Sequence, residues 1–153
     1  MASQIGTTLS NLVSALKALG IFSSVATVEP KGAPGKGLTA AIFFASAAPA
    51  AGASSLKRAS GLYVFTVRVY TDMLAEPTAS IDPELVAAVD KVIDALAGDF
   101  DLGATVRNVD FFGAQGTPLR AEAGYIEAGG KMFRIVDVTL PLVVNDAFSE
   151  FVQ

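Results

Sequence analysis

Residues 62–71, Leu-Tyr-Val-Phe-Thr-Val-Arg-Val-Tyr-Thr, are apolar on both faces where the segment begins. Leu62 and Val64 alternate with Tyr63 and Phe65, so an isolated strand would leave hydrocarbon in water on two sides. That predicts a central strand covered on both faces. Its neighbours follow from periodicity. Leu38, Ala40, Ile42 and Phe44 alternate as a second strand, and a β-type run spans 21–28. Val106 to Phe112 alternates as a further strand. Leu119–Ala128 and Lys131–Leu140 flank Gly129-Gly130, a hairpin signal because both central positions of a type I′ turn need positive φ. In that register Tyr125 faces Arg134, Ile126 faces Phe133 and Glu122 faces Asp137. Pro141 is expected to end the ladder.

Two segments carry helical spacing. Leu9, Leu12, Val13, Leu16 and Leu19 make one apolar stripe, with Thr7 or Thr8 as cap and Gly20 at the C′ position. Asp82-Pro83 is a start signal for a second helix bearing Leu85, Val86, Val89, Val92, Ile93 and Leu96, closed by Gly98. Residues 29–37 are a turn-rich loop, and residues 45–61 are rich in Ala, Ser, Gly and Pro. The latter can bury little and is expected to be a long mobile loop. Residues 141–153 are expected to form a C-terminal arm carrying Phe148 and Phe151. The sum is a single domain over 1–153 of α+β class. It has a mostly antiparallel sheet of about five to six strands packed by two helices.

Composition narrows the chemistry. The 153 residues include no His and no Cys. That removes disulfides, thiolate nucleophiles, zinc knuckles and the usual general base. Only 17% of residues are charged, below the ~25% of typical domains, which suggests apolar surface covered by a partner. No run approaches the ~18 apolar residues of a membrane span. The first residues lack the basic region of a signal peptide, so no membrane role is expected. The net charge of −4 is uneven. Residues 1–71 carry six bases against Glu29 alone, whereas 72–101 carry eight acids against Lys91 alone. Such asymmetry suits subunits that meet head to tail. An acidic total disfavours tight duplex binding.

Candidate chemistry is thin. Gly32–Gly37 resembles a phosphate loop, but Leu38 stands where Lys is needed. Glu122 opposite Asp137 is a carboxylate pair able in principle to share a proton. Nothing places a nucleophile beside it, and a solvent face or a partner's base explains it as well. Asp90, Asp94, Asp99 and Asp101 lack EF-hand spacing. Arg134 with Tyr125 reads as a cation–π or packing pair. No catalytic, cofactor or metal residue is assigned. The residues picked for a subunit or tube interface are Lys57, Arg58, Asp90, Asp94, Phe148 and Phe151.

Several segments resemble the tail-terminator and head–tail completion proteins of long-tailed bacteriophages, especially those of actinobacteria. They are Arg68–Pro77, Ile81–Leu85, Gly98–Gly103, Val106–Asp110, Gly124-Tyr125 and Arg134–Leu142. They cover about the second half of the chain, and none is a catalytic signature. The resemblance implies a non-enzymatic virion protein of the tail or neck, assembled in the host cytoplasm. Its subunits would form a ring, expected to be a hexamer, on the head-proximal end of the tail tube. The implied partners are the tail tube protein, the head–tail connector protein and genomic DNA, which passes through the lumen without specific binding. The rival readings are a head–tail connector or head-closure protein, a tail-tube subunit, and a small-ligand module using Glu122 and Asp137.

Overall fold

The computed structural model describes residues 4–27, 38–50, 58–72, 81–98, 106–128 and 130–149. In chain order the elements are α1 (Gln4–Ala18), β1 (Ser24–Ala26), β2 (Thr39–Pro49), β3 (Arg58–Asp72), α2 (Ile81–Gly98), β4 (Asn108–Val109), β5 (Arg120–Ala128) and β6 (Lys131–Ser149). This is the expected α+β class: two helices and a six-stranded, mostly antiparallel, curled sheet. The strand order is β1-β2-β3-β6-β4, with β5 also paired to β6. The β1–β2 pair is parallel and the others are antiparallel.

β3 is the central strand, paired with β2 on one edge and with β6 on the other. Its odd-numbered side chains Tyr63, Phe65, Val67 and Val69 enter the main core. There they meet Leu12 and Leu16 of α1 and Leu85, Val89, Val92 and Leu96 of α2. From β6 come Val136, Val138, Leu140 and Leu142. Both helices therefore cover one face of the sheet. The opposite face of β3 holds two smaller apolar clusters, one around Tyr70 and Phe133 and one around Leu62, Val64 and Val143. Burial on both faces of Leu62–Phe65 matches the expectation from the sequence.

Helix ends differ from the expected caps. α1 starts at Gln4, and Thr8 is buried in line with Leu12 and Leu16, so it packs and does not cap. Gly20 does take the C′ role. Its φ is 70°, and its N–H donates to the Lys17 carbonyl at 3.2 Å. α2 starts at Ile81, which puts Asp82 and Pro83 inside the first turn, where an N–H has no helical acceptor to lose. Val86, expected in the apolar stripe, is 66% exposed.

Three boundaries are corrected. The expected loop 45–61 is strand at both ends, with Ser46–Pro49 paired to Gly61–Val64 across an irregularity at Ala45. Small side chains give little hydrophobic signal, but their backbone groups pair as well as any. Residues 51–57, with Lys57, lie outside the described residues. The expected arm from 141 is instead the second half of β6, which runs to Ser149 with Phe148 opposite Ala59; Phe151 lies outside. Pro141 does not end the ladder. Its carbonyl accepts from Asp110 N–H at 2.9 Å. In a strand, a residue's N and C=O point to the same edge. The missing N–H therefore falls where β6 changes partner from β5 to β4, and no bond to β3 is lost. The expected strand 106–112 shrinks to β4, because Asp110 draws the chain into a turn. The 29–37 loop lies outside the described residues.

Leu140 is fully buried opposite Phe65. Leu140→Ala should cost about 2–5 kcal/mol of unfolding free energy. Val86→Ala, in the same predicted apolar class but exposed, should stay within about 0.5 kcal/mol. Urea titration of both variants checks the contrast.

Candidate functional site

The hairpin register is as expected: Glu122 faces Asp137, and Tyr125 faces Arg134. The chemistry of the carboxylate pair differs from proton sharing. Across β3–β6 the register sets Arg68 opposite Asp137. The guanidinium grips that carboxylate through Nε at 2.6 Å and Nη2 at 3.0 Å. Arg68 also sits over the Phe43 ring at 5.3 Å. Asp137 is thus committed to a bidentate partner. Glu122 lies outward with Arg120 at 3.3 Å, both largely exposed. Together these form a polar stripe across the sheet face that carries no helices. Arg134 stacks on Tyr125 at 4.5 Å and donates to the Gly124 carbonyl.

The helix-bearing face has a different feature. An open apolar groove of about 460 Å³ runs between α2 and β5. It is lined by Val86, Val89, Ile93, Ala121, Ala123 and Val136, with Asp90 at its edge. Strand alternation explains the separation. Ala121 and Ala123 point to the helix side, and Glu122 points away. The groove therefore lies on the face opposite Glu122, where the small-ligand reading placed its pocket.

Of the expected interface residues, Asp90 and Asp94 are exposed on α2. Arg58 opens β3 opposite Ser149, and Phe148 lies one pair further along. The two pairs sit on different elements and are not brought together in one element pair. Asp99 and Asp101 lie outside the described residues.

Sequence reasoning missed the turn from Asp110 to Pro118. Asp110 is 4% exposed, and its two carboxylate oxygens accept Ala114 N–H and Gln115 N–H, each at 2.9 Å. Gly113 N–H donates to the Asp110 carbonyl at 3.2 Å. Gly113 has φ 73°, and a Cβ there would lie 2.8 Å from Pro118 N. Gly116 N–H donates to Gly113, and Leu119 N–H to Phe111. Phe111 and Leu119, both half-buried, pack the two feet of the turn against the core. At its tip Phe112 is 97% exposed. The signal was present as Asp-x-x-Gly, a turn signature, inside an apparent alternation.

Among the described residues no helix is long and apolar enough to cross a membrane. Neither a protein-family model nor a curated protein matches the sequence. Among solved structures, the chain is similar to a chain of the virion of a native gene transfer agent (GTA) particle. The identity is 22% and the TM-score 0.46, over 90% of this chain and 91% of that one. A likeness at that level carries no argument about function.

Asp110→Ala would leave two turn N–H groups without their acceptor, at a cost of about 1–3 kcal/mol. Chymotrypsin should then cut after Phe112 faster than in the parent protein. Equal cleavage rates would show that the carboxylate does not hold the turn.

Proposed function

We propose that this chain is a non-enzymatic virion subunit. In this reading it forms a ring, expected to be a hexamer, that caps the head-proximal end of a phage tail tube and docks the head connector. The observation that carries the reading is the nature of the outward surface. The charged pair that suggested catalysis is consumed by an internal ion pair, Arg68 with Asp137. What faces outward is instead an apolar groove, an exposed aromatic on a braced turn and an acidic helix face. Such features suit contacts with other proteins. The tail-terminator-like segments 68–77, 81–85, 106–110 and 134–142 map largely onto β3, α2, β4 and β6, the frame of the fold.

A ring needs two different patches on each subunit and a rotation that closes. Asp90 and Asp94 on α2 offer an acidic patch to a basic neighbour. DNA passing through a lumen is better served by surfaces that do not hold phosphate.

The test is native mass spectrometry of the protein alone and with purified tail tubes. A closed ring, or a single chain that becomes one terminal ring on tubes, is the expected result. Asp90→Lys with Asp94→Lys should weaken that assembly, more so at low salt. A monomer that ignores tubes at all concentrations would overturn the reading.

A further inference from the structure

The molecule carries a rigid aromatic knob and an apolar groove that do not meet within one chain. Phe112 is 97% exposed, so its ring packs against none of the described residues. The turn that presents it is braced by the Asp110 carboxylate, by the positive φ of Gly113 and by two half-buried side chains packed against the core. Because the backbone beneath the ring is already held, burying Phe112 costs side-chain freedom but little backbone freedom. Pre-organised aromatic anchors are the usual centres of binding energy at interfaces.

The groove between α2 and β5 offers the complement. Its walls are apolar, and its 460 Å³ accommodates an aromatic ring. Val86, on its rim, is 66% exposed. Charge adds one element to the match. The uncharged turn segment 111–119 follows exposed Arg107, whereas Arg120 is already paired with Glu122 and the Asp110 carboxylate is turned onto its own turn. The groove has Asp90 on its edge, and α2 also exposes Glu84 and Asp94 against one base, Lys91.

We infer that Phe112 of one chain seats in the α2–β5 groove of a second copy of this chain. Arg107 then lies toward the acidic face of α2. The contact joins two different patches, so it is directional. It stands on these residues alone, whether or not the assembly belongs to a phage tail.

The absence of native cysteine makes a clean test possible. One preparation carries Ala114→Cys beside Phe112, and a second carries Ala123→Cys in the groove. Both positions are exposed, and circular dichroism checks that each variant keeps its fold. The two are mixed and oxidised. The expected product is a disulfide-linked dimer containing one chain of each kind. Adding Phe112→Ser to the Ala114→Cys chain should reduce its yield at least about tenfold. The same change in an otherwise native chain should weaken self-association by a similar factor in sedimentation velocity. No mixed dimer, or a yield indifferent to Phe112→Ser, would overturn the inference. Failure to cap tail tubes would not, because the cross-link is read in the absence of tubes.

Discussion

β6 accepts β3 along one edge and two different strands along the other, and Pro141 marks the place where the partner changes. The rest of the molecule depends on that arrangement. The β3–β6 pairing runs from Asp72 and Phe133 to Arg58 and Ser149. It holds Phe65, Val67, Val138 and Leu140 in one layer, fully or almost fully buried. The two helices close over that layer because their stripes have nowhere else to bury. β5 and β4 then take whatever edge of β6 each can reach. Val109 ends β4 opposite Leu142 and Arg120 opens β5 opposite Thr139, so the intervening residues loop out from one place on that edge, and the loop carries Phe112 outward.

The sheet's two faces do different work. The helix-bearing face is packed with hydrocarbon and opens along the α2–β5 groove and, on the other side of α2, at a smaller hollow beside Ile21 and Leu38. The opposite face divides its two apolar clusters with the Arg68–Asp137 pair. With side-chain exposures of 14% and 31%, the pair is shielded more than a surface bridge. Its geometry is bidentate, and Phe43 covers the guanidinium. Breaking one partner would strand the other charge in a poorly solvated place. That makes Asp137 a structural group, and it leaves the outward surfaces as the place to look for function.

Much of the frame was legible in the sequence. The Gly129-Gly130 pair and the alternation around it located the β5–β6 register, including the Tyr125–Arg134 pair. The two helical stripes and the doubly covered strand were legible for the same reason: their apolar spacing is set by local geometry. Pairings distant in sequence were not. Arg68 and Asp137 are 69 residues apart, and only the β3–β6 register brings them together. Ser46–Pro49 read as loop because strand pairing there is carried by backbone groups, to which composition is blind. Phe112 read as a strand residue because an Asp-x-x-Gly turn can hide inside an alternating pattern. Phe148 and Arg58 share one end of the β3–β6 pair, away from Asp90 and Asp94 on α2. No periodicity of one segment reports where another segment ends.

The β3–β6 spine is proposed to carry surfaces that meet a second copy of the chain. Hydrogen exchange followed by mass spectrometry, at dilute and at high protein concentration, tests it most directly. The account predicts that β3 and β6 exchange slowest under both conditions. It also predicts that 84–94, 110–118 and 120–127 become slower as concentration rises. Exchange in those three segments that is unchanged by concentration, or a spine that exchanges as fast as β5, would contradict it.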